Sequence, residues 1–408
     1  MNNRIQIPQG YKDSPLGIIP EEWEVRRLGD IADITSGTTP LRANSKYYND
    51  GIIPWVKTTD LNNGTLYETE EKVSKEAVEK TSLKILPKGT VLVAMYGGFR
   101  QIGRTALLGI DATINQALSA LMCKSSVESS FVLAWLNCQV NYWKRLAASS
   151  RKDPNITGNE VANFPILIPP LEEQERICSV LQLWDSSIEK QSELIEKLKL
   201  RKRALMQQLL TGKKRLPGFS GEWKEVKLGD VFDERNETNR DDLPLLSITG
   251  DKGVIYQSDS DKRDISNDDK SKYKRICPND IGYNTMRMWQ GRSALSSIEG
   301  IVSPAYTIVT PQKNVDVRFM AMLIRQPRIV YDFWTHSQGL VSDTLNCKYP
   351  DFCQVKVRIP SKEEQTAIAD MLYEFDKQIY IANEKLARLQ SQKRGLMQQL
   401  LTGKKQIK

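Results

Sequence analysis

The sequence predicts an α+β protein (mixed α/β), organised as a pseudo-two-fold internal repeat. Two similar globular domains are joined by two long helices that form an antiparallel intramolecular coiled coil. Three observations carry this prediction. The decapeptide LMQQLLTGKK stands at 205–214 and again, unchanged, at 396–405, and self-similarity at a fixed spacing is the signature of a duplicated structural unit. Ahead of each copy runs an apolar pattern spaced alternately four and three residues apart, which is a heptad seam. The remainder of each half mixes short β-like runs with helical stretches, so each half holds a sheet and helices around its own core.

The repeat extends beyond the decapeptide. At the same spacing, Ile168-Pro169 matches Ile359-Pro360, Glu172-Glu173-Gln174 matches Glu363-Glu364-Gln365, and Asp185 matches Asp376. Near the start of each half, EWEVRRLGDIAD (22–33) echoes EWKEVKLGDVFD (222–233), pairing Trp23 with Trp223 and Leu28-Gly29-Asp30 with Leu228-Gly229-Asp230. The chain therefore divides into an N-terminal segment 1–20, a first domain 21–170, a first long helix 171–215, a second domain 216–361 and a second long helix 362–408. In the middles, GRTALLG (103–109) faces GRSALSS (291–297), and Asn115-Gln116-Ala117 falls where Ser303-Pro304-Ala305 does. One fold with two different surfaces is the reading.

Each long helix starts after a proline with glutamates in its first turn, which suits the helix dipole. The first seam is Ile177, Leu181, Trp184, Ile188, Ile195, Leu198, Leu205 and Leu209, interrupted at Gln191 and Lys202. The second is Ile368, Leu372, Phe375, Ile379, Ala382, Leu386, Leu389, Leu396 and Leu400, interrupted at Lys393. Both helices end at Thr-Gly, where Gly212 and Gly403 are placed to take the left-handed cap conformation. A helix of about 39 residues is about 58 Å long at about 1.5 Å per residue. In the middles, 91–93, 166–168 and 306–309 read as strands, 131–146 and 319–331 as helices, and the charged, aperiodic stretch 258–275 as solvated loop.

Composition excludes several classes. The 408 residues carry 58 Lys and Arg against 50 Asp and Glu, a net charge of +8 that suits a polyanionic partner where it is clustered. One histidine, His336, rules out His-pair zinc sites and leaves a single histidine base. The six cysteines form no CxxC pair and no long apolar run occurs, so the expectation is a cytoplasmic chain with reduced thiols. No P-loop, GxGxxG, GxSxG or methyltransferase target motif is present. Glu70-Glu71-Lys72 lacks the upstream Pro-Asp of a nuclease. The expectation is therefore no catalytic residue, no metal site and no cofactor in this chain.

What remains is polar and cationic. Residues 197–215 hold eight Lys or Arg and no acid, and 385–408 hold seven and no acid. Cations at a helix C-terminus are favoured by its dipole; the rest are candidates to face phosphate or a partner subunit. MYGGFRQIGR (95–104) matches MRMWQGR (286–292), each a glycine-containing turn with arginine, glutamine and an aromatic residue. Arginine pairs with the guanine edge and glutamine with the adenine edge in the major groove. The candidate DNA-binding residues are thus Arg100, Gln101 and Arg104 in one half, and Arg287, Trp289, Gln290 and Arg292 in the other. A second polar loop adds Ser149, Arg151, Lys152 and Asn155, and correspondingly His336, Ser337 and Gln338. The alternative is that the glycines simply make turns.

Two variable domains separated by duplicated helices, with IPPLEEQERI and IPSKEEQTAI beginning the helices and LMQQLLTGKK ending them, resemble the specificity subunit of Type I restriction-modification enzymes. The likeness covers essentially the whole chain; the departure is Ser361-Lys362 where the first copy has Pro170-Leu171. The resemblance implies a non-catalytic subunit whose two target-recognition domains each read one half of a bipartite, asymmetric site in double-stranded DNA, with the helices setting the spacer. It also implies two methyltransferase subunits docked on it and motor-nuclease subunits for restriction, with S-adenosylmethionine, ATP and Mg²⁺ on those partners. The rival reading is a free-standing coiled-coil DNA-binding regulator or scaffold.

Overall fold

A computed structural model of the chain describes residues 7–148, 155–250, 252–260, 266–339 and 344–407. The chain forms two compact units, 1–192 with 385–408, and 193–384, so each unit takes part of both long helices.

In the first unit, strand Glu24–Arg27 pairs antiparallel with Pro165–Ile168. A five-stranded sheet follows in the order Ala32–Ser36, Leu118–Cys123, Val91–Ala94, Thr105–Leu108 and Thr65–Leu66. Val91–Ala94 is buried along its whole length, which is why it reads as a continuous apolar run rather than an alternation. Helix Ser129–Cys138 lays Phe131, Val132, Trp135 and Leu136 into the core. The single helix expected over 131–146 is broken at Gln139, after which Val140–Ala148 begins. On one straight helix Trp143 would point about 120° from Phe131, at about 100° per residue. The break turns Trp143 back into the core, where its ring stacks on Phe164 at 3.9 Å.

The second unit repeats the plan. Lys224–Lys227 pairs with Lys356–Ile359, and a four-stranded sheet runs Phe232–Arg235, Tyr306–Pro311, Ile281–Asn284, Ser293–Leu295. Helix Val317–Leu323 buries Val317, Phe319, Met320 and Leu323. The helix expected over 319–331 is again two, and here the cause is Pro327. Proline disfavours helical geometry in the residue before it and starts a helix well. Gln326 is accordingly extended (φ −68°, ψ 140°) and Pro327–His336 is a new helix. The stretch 258–275 is not wholly loop: Lys274–Ile276 pairs with Gly300–Val302, because Tyr273 and Ile276 are buried and anchor it.

The long helices are Leu171–Leu209 and Lys362–Leu400, 39 residues each. In the first unit, Ile177 and Leu181 share a core with Leu400 and Leu401, and Asp185 is ion-paired with Lys393. In the second unit, Ile368 and Leu372 share a core with Leu209 and Leu210, and Lys202 pairs with Asp376 at 2.5 Å. Rising numbers on one helix meet falling numbers on the other, so the pairing within each unit is antiparallel. The seam residues Trp184, Ile188, Leu198, Leu205, Phe375, Ile379, Leu386, Leu389 and Leu396 are half-buried, and Ile195 is buried. Leu183 and Leu200, off the seam, are 70% and 65% exposed. The lysines that interrupt the seam are the ones that hold Asp376 and Asp185.

The duplicated Glu-Glu-Gln has a structural reason beyond the helix dipole. Gln174 is fully buried: its Oε1 accepts from Glu128 N (2.9 Å) and its Nε2 donates to Pro169 O (2.8 Å). Gln365 does the same with Asp316 N (3.0 Å) and Pro360 O (2.9 Å). One side chain thus ties the strand end, the long helix and the N-cap of the core helix together. Beside it, Glu173 accepts from Trp23 Nε1 at 2.9 Å, whereas Glu364 is gripped by Arg215 through two bonds of 2.5 Å. At the far ends, Gly212 (φ 68°) and Gly403 (φ 70°) cap the helices in the left-handed conformation.

Candidate nucleic-acid interface

In each unit the central strand leaves the sheet into one loop and returns antiparallel beside itself. Val91–Ala94 opens into 95–104 and returns as Thr105–Leu108; Ile281–Asn284 opens into 285–292 and returns as Ser293–Leu295. Gly103 (φ 74°) and Gly291 (φ 72°) stand at the same point of the two loops, and both are pressed on a helix. A Cβ on Gly103 would lie 2.8 Å from the Trp143 Cβ, and one on Gly291 would lie 3.1 Å from Val330 Cγ2. The glycines are therefore required by backbone conformation and close approach, and each delivers the arginine that follows to the start of the returning strand.

Two further loops meet each of these. Met95 N donates to Ala117 O (2.9 Å) and Ile156 N to Met95 O (2.9 Å); Thr285 N donates to Ala305 O (3.2 Å) and Cys347 N to Thr285 O (2.9 Å). Loops distant in sequence are thereby gathered at one end of each sheet, and Asn155, next to Ile156, is half-buried in the first cluster. Ser149, Arg151 and Lys152 lie outside the described residues.

In the first cluster Arg100 is exposed, while Gln101 Oε1 accepts from Arg104 Nη1 at 3.0 Å, so the two form one half-buried pair. In the second, Arg287, Gln290 and Arg292 line a single cavity of about 590 Å³ with Asn284, Thr249 and Tyr306. The Arg292 guanidinium lies over Gly250, where a Cβ would come within 2.5 Å of its Nη1. Trp289 braces the turn, its Nε1 donating to Met286 O at 3.0 Å. His336 ends the helix Pro327–His336, its Nδ1 donating to Asp332 O at 2.8 Å. Ser337 Oγ donates to Phe333 O, and Gln338 Nε2 to Asp351 Oδ1 while its backbone pairs with Asn346. Ser337 and Gln338 thus hold the loop in place, and His336 stands exposed beside them.

The named candidates do not include Asn284 and Thr249, which line the cavity, nor Tyr96 and Phe99 of the MYGGFRQIGR turn, which are 42% and 50% exposed in the first cluster. The two aromatics flanking Gly97-Gly98 were a readable signal; Thr249 reaches the cavity only through tertiary structure. Glu70-Glu71-Lys72 is accounted for by charge pairing. Lys57 binds Glu70 at 3.1 Å and Glu71 at 2.6 Å, and Arg42, stacked over Tyr48 and Trp55, binds Glu71 at 2.7 Å. Bonds from Arg42 and Lys57 hold the Glu71 carboxyl below its ordinary value. Among the described residues no cluster of His, Cys, Asp or Glu is placed to hold a metal, and no helix is long and apolar enough to cross a membrane.

Comparison with known proteins bears on the same geometry. Residues 20–200 and 220–391 each match the family described as Type I restriction modification DNA specificity domain. The MjaVIII type I restriction enzyme specificity subunit of Methanocaldococcus jannaschii is 22% identical over 418 residues, 96% of this chain and 94% of that one. The MjaIX specificity subunit of the same organism is 31% identical over 198 residues, an alignment spanning 47% of this chain and 45% of that subunit. The crystal structure of the Type I restriction-modification S subunit from M. genitalium shares the fold, with a TM-score of 0.55, 13% identity and coverage of 97% of this chain and 98% of that one. With both halves matched, the chain belongs to the Type I restriction-modification DNA specificity family.

Proposed function

We propose that each unit reads one half of a bipartite, asymmetric DNA site through its loop cluster, and that the paired helices set the spacing between the halves. The observation that carries this reading is the gathering of three loops at the same end of two equivalent sheets, bearing different side chains on one frame. Arg104 with Gln101 in one unit, and Arg287, Gln290 and Arg292 in the other, are the base-reading residues; phosphate contacts around them position the duplex. The helices also dock two methyltransferase subunits, and motor-nuclease subunits join for restriction, so S-adenosylmethionine, ATP and Mg²⁺ reside on those partners and this chain catalyses nothing alone. A free-standing regulator or scaffold is not favoured, because the family matches cover both units.

The test is a domain exchange in the assembled methyltransferase. Replacing residues 30–165 with the corresponding domain of a relative changes one half of the methylated motif and spares the other; a change in both halves refutes modular reading. Arg104→Ala and Arg292→Ala each weaken recognition by about 1 to 3 kcal/mol at one base position. Methyl transfer by the isolated chain would refute its catalytic silence.

A further inference from the structure

The two reading loops share a register that their sequences conceal. Ala94 N donates to Arg104 O at 2.8 Å and Asn284 N to Arg292 O at 3.0 Å, so both loops open and close at the same rung of the sheet, although the first spans 95–103 and the second only 285–291. The residue leaving the strand, Met95 or Thr285, is held through both its N–H and its carbonyl by the neighbouring loops. The next residue is therefore presented from a fixed backbone at the same place in each unit: Tyr96 in one, Met286 in the other. Met286 is clamped further, its N donating to Asn284 Oδ1 and its O accepting from Trp289 Nε1, each at 3.0 Å.

Both side chains are large, mostly apolar and exposed, Tyr96 at 42% and Met286 at 47%. Neither loop lacks a place to bury an apolar group, because Ile102 and Met288 are fully buried within the same two loops. A single exposed apolar residue calls for no explanation. Here the same character recurs at one register position of two loops that differ in length and sequence, two residues beyond the position paired with the loop-closing arginine. An apolar side chain held in water adds nothing to the stability of the chain, so the recurrence points to a contact outside it. The polar groups of the loops, Arg104 with Gln101 and Arg287 with Gln290 and Arg292, can meet the donors and acceptors of base edges. In the major groove the one apolar group that a base pair presents is the 5-methyl of thymine, which hydrogen-bonding side chains cannot recognise and an apolar one can.

We propose that Tyr96 and Met286 are specificity-determining residues, each packing against the 5-methyl group of a thymine in the half-site read by its own unit. This inference rests on the DNA reading proposed above and adds to it the base feature that each loop selects.

The experiment uses the full-length chain assembled with its methyltransferase subunits, and the motif read from the methylated genome of a host carrying the system. Duplexes carry that motif intact, or with deoxyuridine for every thymine of one half-site, or of the other; an unrelated duplex is the reference. Uracil pairs as thymine does and lacks only the methyl. In the wild type, uracil in either half lowers affinity about fourfold per contacted methyl, as expected for one methyl group returned to water. Tyr96→Ala abolishes the response to uracil in one half and keeps it in the other, and Met286→Ala does the reverse. Tyr96→Phe and Met286→Leu keep both responses. Phe99→Ala, which removes an exposed ring without a counterpart at this register, also keeps both. A wild type that distinguishes the cognate from the unrelated duplex but is indifferent to uracil overturns the inference and leaves the DNA reading standing; so does a motif with no thymine on either strand of one half. Folded alanine variants that retain the full uracil response overturn it too, as does loss of that response in Phe99→Ala. If the alanine variants instead fail to assemble with methyltransferase subunits, the two residues are protein contacts and the inference fails. Should the wild type not distinguish cognate from unrelated duplex, the DNA reading itself is at fault, and this inference falls with it.

Discussion

Gln174→Met separates the two explanations of the duplicated Glu-Glu-Gln. Methionine keeps the length and nearly the volume of glutamine, so the perturbation removes hydrogen bonds while preserving packing. Two strong bonds are lost, from Glu128 N and to Pro169 O, together with a long one to Ser126 O at 3.4 Å. Both principal partners are backbone groups, Pro169 O buried and Glu128 N half-buried, and methionine offers neither of them a hydrogen bond. A buried group left unsatisfied costs about 1 to 3 kcal/mol, so the pair costs about 3 kcal/mol and lowers the melting temperature of the affected unit by about 6 to 12 °C, at about 2 to 4 °C per kcal/mol for units of this size. Gln365→Met acts on Asp316 N and Pro360 O and has a similar effect in the other unit. Calorimetry with exposed Gln182→Met as the control reads the difference. If the motif acts only by placing polar residues at a helix N-terminus, Gln174→Met behaves like Gln182→Met; a shift under about 2 °C in a natively folded variant refutes the clamp.

Other perturbations follow from the geometry. Gly103→Ala forces a left-handed residue and drives a methyl into Trp143, so it costs about 2 to 4 kcal/mol, against about 1 to 2 for Gly291→Ala, where the neighbour is a single Val330 methyl; equal losses in chemical denaturation would show that close packing is not the difference. Glu173 is buried with its Oε1 unpartnered among the described residues, and Gln406 stands where the other repeat has Arg215, so Gln406→Arg supplies a donor and raises stability by about 1 to 2 kcal/mol; an unchanged melting temperature counts against the equivalence. Burial pushes the Cys178 and Cys347 thiols up to about 12, so at pH 8 neither is alkylated by iodoacetamide until the chain unfolds. Rapid labelling of either in the native protein contradicts that burial.

The helices were legible because a heptad seam is a one-dimensional pattern, and because the two copies interrupt theirs with lysine at equivalent places, 202 and 393. That these lysines reach Asp376 and Asp185 follows only once the antiparallel register is known, since each acid lies far away in sequence. Pro327 was visible, and a proline at the first helical position marks a start rather than an interior; the break at Gln139 has no such marker and comes from the need to bury Trp143. Burial of Glu173 and Gln174 was not legible, because charged and amide side chains in a first helical turn are ordinarily solvated. The Gly-Arg loops were found because both halves kept the pair while the flanking sequence drifted. Which glutamine or arginine closes on a neighbour, as Gln101 does on Arg104, depends on side-chain geometry that no spacing encodes.

What the two halves share and where they differ point to one division of labour. The shared positions are buried or capping: the paired tryptophans, Gln174 and Gln365, Gly212 and Gly403, Gly103 and Gly291, and the apolar face of the core helices. Each fixes a backbone junction, and a change there disturbs the frame rather than the surface. The differences lie on the loops at the end of each sheet and on the side chains that fill the space behind them. In the first unit that space is closed by Thr105 and Asn137; in the second it is a cavity edged by Ser293 and Arg325, next to one holding Arg287, Gln290 and Arg292. A duplicated frame with identical surfaces would present the same donors and acceptors twice and favour a symmetric site. Because Arg325 replaces Asn137, and because Gln101 closes on Arg104 in the first loop while Gln290 lines a cavity with Arg287 and Arg292 in the second, the two surfaces offer different patterns at equivalent places, and an asymmetric partner satisfies them better than a symmetric one.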